Sequence, residues 1–333
     1  MKVTVAQPLE SLSRVHPANR TPIRIGLVQT CWHEVAAEHE SVLAEGIEAA
    51  ASNGAKIVFL PELTLSRYMA DTEPAERPNL LAETLQNGPT HSFAAKAAAA
   101  NNVFVHASLY EFQEREDGRG LNVAIIVSPS GEIIARTPKL HIPVTAGYYE
   151  DRYFAPGPAE GNPYPVYELS LEGTSAKFGL PTCWDEWFAE AARIYSIQGA
   201  EVLVYPTAIG SEPDHPDFDT EPLWRQVIIG NAIANGTFMV VPNRYGNEGK
   251  LNFYGSSFIA DPYGRVLAQA SRSEDEVLVA DLDLDQRRDW LDLFPFLATR
   301  RPETYGILSE PISNARRADG HGENGGIAGV QAS

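Results

Sequence analysis

Two hydrophobic periods interleave along this chain, and their alternation limits the fold more than any other feature. Short β-rich runs occupy residues 23–29, 56–60, 103–110, 122–128 and 133–136, then 176–180, 201–205, 238–242, 255–260, 266–270 and 277–281. Ala-rich segments of helical period lie between several of them, at 35–52, 92–101, 186–198 and 222–235. Gly54, Gly88 and Gly199 stand where helices are expected to stop. The runs SPSGE (128–132) and DPYGR (261–265) carry Pro and Gly where tight hairpin turns need them. So many strands exceed what one open sheet holds comfortably, which favours an α/β fold of two mixed sheets stacked face to face with helices outside, a four-layer α-β-β-α sandwich. No composition break divides residues 22–308, which read as one domain; 1–21 read as a loose N-terminal arm and 309–333 as a flexible C-terminal tail.

Charge and cysteine content narrow the function classes. The formal charge is −18, from 44 acidic against 26 basic residues, with no Lys/Arg stripe to meet a phosphate backbone, so nucleic acid is not an expected partner. An acidic surface favours cationic small molecules, though weakly. No run approaches the roughly 20 apolar residues of a membrane helix, and residues 1–22 lack the apolar core of a signal peptide, so a cytoplasmic location is expected. Two cysteines, Cys31 and Cys183, make neither a disulfide framework nor a thiolate zinc site. The scattered histidines form no metal-binding pair, so a metal site is not expected.

Three segments carry chemistry. In GLPTCWDEW a strand ends at Thr182 and a helix opens within a few residues, which places Cys183 at an elbow whose helix amides would favour a thiolate. The plainer reading is a buried small hydrophobe. In KIVFLPEL a buried strand delivers Glu62, and in IIARTPKLHIP another delivers Lys139. A carboxylate at such a place needs a partner or water, and a purely structural Glu62–Lys139 ion pair competes with a catalytic reading.

The order strand–Pro-Glu, strand–Lys, strand–Cys resembles the nitrilase, or carbon–nitrogen hydrolase, superfamily over about residues 22–308. Within it, LHIP…GYYEDRYFAPG, CWDEWFAEAAR, YPTAIGSEP and FYGSSFIADPYG are most similar to the N-carbamoylputrescine amidase branch. The resemblance implies the nitrilase-like four-layer sandwich and a homodimer or higher homo-oligomer. It implies cysteine-dependent hydrolysis of a non-peptide C–N bond in a small-molecule amide or N-carbamoyl amine. It also implies the roles: Cys183 nucleophile, Glu62 general base, Lys139 oxyanion partner with the Trp184 N–H, and Glu150 orienting Lys139 and Glu62. Tyr68, Tyr149, Trp184, His141 and Glu186 are expected to contact substrate.

Two departures bear on substrate. Val144 and Thr145 stand where the branch usually has an acidic residue, and Glu186 stands where it usually has Gln, so either the two changes offset, if a carboxylate near the mouth meets the far amine, or the substrate differs. An aliphatic amidase or nitrilase shares the same triad. A catalytically inactive assembly or binding protein is the alternative of another class.

Overall fold

The computed structural model describes residues 1–311 except 75, 76, 146 and 172. In chain order its strands are β1 (Lys2–Val5), β2 (Ile23–Gln29), β3 (Ile57–Phe59), β4 (Phe104–Glu111), β5 (Leu121–Val127), β6 (Ile133–Pro138), β7 (Val166–Leu171) and β8 (Thr174–Gly179). They continue with β9 (Val202–Val204), β10 (Phe238–Val241), β11 (Tyr245–Glu248), β12 (Leu251–Tyr254), β13 (Phe258–Ala260), β14 (Val266–Gln269) and β15 (Glu276–Leu282). The helices are α1 (Ala36–Ser52), α2 (Pro89–Asn101), α3 (Glu150–Tyr153), α4 (Ala189–Ile197), α5 (Glu221–Asn235) and α6 (Asp285–Leu293).

One seven-stranded sheet has the order β1-β15-β2-β3-β4-β5-β6, and a six-stranded sheet has β14-β13-β10-β9-β8-β7. In each, three neighbouring parallel strands are joined by helices and extended by antiparallel hairpins (β2-α1-β3-α2-β4, and β8-α4-β9-α5-β10). Side-chain alternation sets the layers. Ile57 and Phe59 pack with Phe178, Val202 and Val240 between the sheets, while Val58 points the other way into Leu43, Ile47 and Ala94 of α1 and α2. On the far side Leu203 and Met239 pack under Ala192, Trp224 and Ile228 of α4 and α5. The molecule is thus the four-layer sandwich the alternation implied. Among the described residues no helix is long and apolar enough to cross a membrane.

Both expected turns form, with Gly131 N–H donating to Ser128 O at 2.8 Å and Gly264 N–H to Asp261 O at 2.9 Å. Other expectations change. Gly88 does not end a helix but precedes α2, whose first residue is Pro89, a position that needs no amide donor. Residues 1–21 are not loose: β1 pairs in parallel with β15, and Arg14 binds Asp283 at 2.6 Å and Asp289 at 2.8 Å. These partners lie over 260 residues away in sequence, so no local pattern discloses them. Helix α6 has no counterpart among the expected helices, because the residues it buries, Asp285, Gln286 and Asp289, are polar. Residues 296–311 form a separate short unit of two single-turn helices, in which Arg300 lies over the Tyr305 ring. Residues 312–333, most of the expected tail, lie outside the described residues.

Candidate active site

Three strand ends converge. Beyond β8 the chain passes through Leu180, Pro181 and Thr182 into the single turn Cys183–Trp187. Pro181 lies past the last ladder residue, where its missing N–H costs no strand bond. Cys183 has φ +42°, a region that strains a residue with a Cβ and persists only when neighbours over-determine it. They do so here. Cys183 N–H donates to Pro206 O at 3.0 Å, and Asp185 Oδ2 accepts Thr182 N–H at 3.0 Å. From α5, Trp224 Nε1–H donates to Glu186 Oε1 at 2.8 Å and Asn231 Nδ2–H to Glu186 O at 3.0 Å.

Beyond β3, Pro61 leads to Glu62, and beyond β6 comes Lys139; both side chains are fully buried. Lys139 Nζ donates to Glu62 Oε1 at 2.9 Å and to Glu150 Oε2 at 2.6 Å. Asn122 Nδ2–H gives Glu62 Oε1 a second bond at 2.7 Å, while Tyr68 Oη–H donates to Glu150 Oε1 at 2.7 Å. Glu62 Oε2, buried with the rest, has no hydrogen-bond partner. A buried carboxylate oxygen is costly to leave bare, and this one has room to accept a further donor.

Electrostatics assign the resting charges. Burial alone would strip Lys139 of its proton, but Glu150 and Glu62 outweigh it and hold the ammonium well above its ordinary range. Burial pushes the Glu150 carboxyl up, with Lys139 opposing. Cys183 is 5% exposed. Burial drives its thiol well above the usual range, Glu62 adds to this, and Lys139 only partly offsets them. This corrects the expectation of a thiolate at the elbow: desolvation outweighs one turn of helix amides, so the sulfur rests as a neutral thiol.

The turn after β3 is clamped from β11. Arg244 Nη2 donates to the carbonyls of Glu62 (2.7 Å), Leu63 (3.0 Å) and Ser66 (3.1 Å), and Nη1 to both Glu248 oxygens at 2.8 Å. Glu248 Oε2 accepts Tyr68 N–H at 2.8 Å. Arg244, Glu248, Tyr68, Glu150, Lys139 and Glu62 therefore close a ring of polar contacts around Leu63, itself at φ +50°.

A model of the carbon-nitrogen hydrolase family matches residues 24–292. The chain belongs to the carbon–nitrogen hydrolase family. A citrullinase from Francisella tularensis is 37% identical over 85% of this hydrolase and 96% of its own length. An N-carbamoylputrescine amidase from Arabidopsis thaliana is 35% identical over 79% and 87%. A solved carbon–nitrogen hydrolase from Helicobacter pylori superposes with a TM-score of 0.78 at 31% identity, covering 87% of this chain and 99% of that one. An amidase of the nitrilase superfamily from a Nesterenkonia species shares the fold, with a TM-score of 0.67 at 22% identity over 86% and 98%.

The residues expected to contact substrate divide. In this hydrolase the Tyr68 hydroxyl is spent on Glu150. His141 N–H and Nδ1 face Asp185 Oδ1 at 2.9 and 2.6 Å, and its ring stacks on Phe188 at 3.8 Å, so it ties the Lys139 loop to the Cys183 elbow. Tyr149 is half-buried beneath Lys250 Nζ. The half-buried Trp184 directly follows Cys183, and its N–H lies in the first turn, where a helix leaves amides without partners of its own. Glu186 is fully buried with Oε2 unpartnered, and burial raises its carboxyl well above the usual range. Burial thus disfavours the charge that Glu186 would need to offset the missing carboxylate, while Val144 and Thr145 are exposed. Cys31 is half-buried with Sγ 3.9 Å from His33 Nε2. Sequence reading missed Asn122, Asp185 and Arg244. The polar Asn122 beginning a buried run and the arginine after Pro242-Asn243 were the available signals.

Proposed function

We propose that this hydrolase cleaves an N-carbamoyl amine, using Cys183 as nucleophile, Glu62 as general base and acid, and Lys139 with the Trp184 N–H as oxyanion donors. The observation that carries the reading is the bare Glu62 Oε2 in a buried site whose thiol rests neutral. As Cys183 Sγ bonds to the carbamoyl carbon, Oε2 takes the thiol proton and the carbonyl oxygen gathers charge toward Lys139. Glu62 returns that proton to the departing nitrogen, leaving a carbonyl–sulfur ester. Water then loses a proton to Glu62 and attacks the same carbon, expelling the sulfur, which is reprotonated. The balance is R–NH–CO–NH2 plus water giving R–NH2, CO2 and NH3. Glu150 keeps Lys139 charged throughout and positions it.

Relatives named citrullinase and N-carbamoylputrescine amidase support the ureido class, because the compounds in both names present the same carbamoyl group. The test is ammonia release from N-carbamoylputrescine, citrulline, N-carbamoyl-β-alanine, simple amides and nitriles, with Cys183→Ala as control. Release from the ureido compounds above the rest is expected. Preference for a simple amide or a nitrile would keep the triad and overturn the substrate class.

A further inference from the structure

Helix α1 buries His39, Leu43, Gly46, Ile47 and Ala50, so a histidine heads its apolar stripe. His39 is 3% exposed, and a buried ring with two nitrogens needs two partners. Both lie close. Nε2 is 2.9 Å from Thr64 O, and Nδ1 is 3.4 Å from Nδ1 of the half-buried His33, whose Nε2 faces Cys31 Sγ. We infer that His39 is a positioning residue for Glu62, holding the turn after β3 from the side of α1, and that His33 locks the tautomer in which it does so. This rests on the reading of Glu62 as general base, and holds for whichever C–N bond is cleaved.

The direction of each hydrogen bond in the row follows from its last member. A carbonyl oxygen only accepts, so His39 carries its proton on Nε2. Burial holds the ring below its ordinary range, with Arg244 and His33 adding to this against Thr64 O and Glu248, so it rests neutral with Nδ1 bare. Nδ1 then accepts, which puts the proton of His33 on its own Nδ1 and leaves His33 Nε2 facing the Cys31 thiol. The row runs one way, from the half-buried loop before α1 to the backbone of the Glu62 turn.

The end point of the row gives it a role. Arg244 takes the carbonyls of Glu62, Leu63 and Ser66, while Ser108 accepts Leu63 N–H at Oγ (3.1 Å) and Thr64 N–H at its carbonyl (2.8 Å). Neither clamp reaches Thr64 O, which takes its donor from His39. Thr64 Oγ1–H in turn donates to Pro61 O at 2.9 Å, so Thr64 is tied to the residue just before Glu62. With Leu63 at φ +50°, the turn keeps its shape only while its neighbours hold it. Without His39 a buried carbonyl loses its donor, and a turn that shifts to find another carries Glu62 with it. A displacement of about 1 Å at a reacting group is enough to cost about a hundredfold in rate.

The experiment measures kcat and KM for ammonia release from whichever panel compound wild-type cleaves, using wild-type, His39→Phe and His39→Gln. Urea unfolding and imidazole 15N NMR of the full chain accompany it. Phenylalanine fills the place of the ring without a donor, whereas glutamine carries an amide N–H about as far from the backbone as Nε2. His39→Phe is expected to lower kcat by about ten- to a hundredfold with KM within about threefold, and His39→Gln to return kcat to within about threefold of wild-type. NMR at pH 8 should find His39 protonated at Nε2 and His33 at Nδ1. A loss of stability in His39→Phe with kcat unchanged would make the residue structural only and overturn the inference. So would His39→Gln no better than His39→Phe, or either histidine in the opposite tautomer. Should His39→Phe fail to fold, His39→Gln decides: kcat within about threefold of wild-type supports the role, and a loss beyond about tenfold overturns it. Turnover by Glu62→Gln close to wild-type removes the base itself, a result distinct from an active wild-type that His39→Phe leaves unchanged.

Discussion

Lys139→Met tests whether the buried constellation is held together by charge. In the native protein one ammonium lies 2.9 Å from Glu62 Oε1 and 2.6 Å from Glu150 Oε2, with all three side chains almost wholly buried. Methionine keeps most of the volume and removes the charge, leaving two carboxylates in one dry pocket. Removing one partner of a buried pair costs about 3–5 kcal/mol. That deficit depends on pH with a definite sign. The Glu150 carboxyl is already raised by burial, and Lys139 is what restrains it. A carboxyl raised in the folded state contributes stability that is fully present below its unfolded value and lost as pH rises through its folded value. Without Lys139 the rise is larger, so the variant should take up a proton on acidification that the wild type does not. One proton is worth about 1.4 kcal/mol per pH unit between the two values. Each pH unit between those values therefore returns part of the deficit. Urea unfolding of both proteins at pH 8, 7, 6 and 5, followed by circular dichroism and tryptophan fluorescence, measures this directly. The expected deficit is greatest at pH 8 and shrinks steadily toward pH 5, and Glu150→Gln in the same chain should recover part of it at pH 8. A deficit under about 1 kcal/mol at pH 8, or one independent of pH, would refute the reasoning.

Glu62→Gln should lower kcat by about a thousandfold or more while the protein still folds, because base and nucleophile act as a unit; turnover within tenfold of wild-type would remove Glu62 from that role. Alkylation of Cys183 by iodoacetamide should accelerate from pH 7 to 9, as expected of a thiol pushed upward by burial, and a rate constant flat between pH 6 and 8 would indicate a resting thiolate. Glu186→Gln should lessen the loss of stability on going from pH 6 to 9, since a carboxyl raised in the folded state loses its contribution as pH rises; an unchanged pH profile would mean the carboxyl is already ionised. Arg244→Gln strips three carbonyls of the Glu62 turn and one buried carboxylate of their donor, so about 3–5 kcal/mol of stability and most of kcat should go together in urea unfolding and ammonia release. Loss of neither would show that the turn holds without it.

The sequence by itself determined the layers and the three chemical anchors. Period-2 and period-3.6 runs are local, and residues such as Ile57, Val58 and Phe59 reveal by their unbroken apolar run that their strand is covered on both sides. The Pro-Glu, Pro-Lys and Thr-Cys strand ends are equally local, so Glu62, Lys139 and Cys183 were legible before any coordinates. What the tertiary structure alone decided was the state of those groups. Whether Cys183 is thiol or thiolate depends on how much water reaches it, and the charge of Glu186 depends on burial working against the hydrogen bond from Trp224, itself on another helix. The Arg244 clamp joins residues about 180 positions apart, and β1 finds its partner across nearly the whole chain. Hydrophobic period is written into neighbouring residues, whereas desolvation and ion pairing are properties of the space that distant residues enclose together.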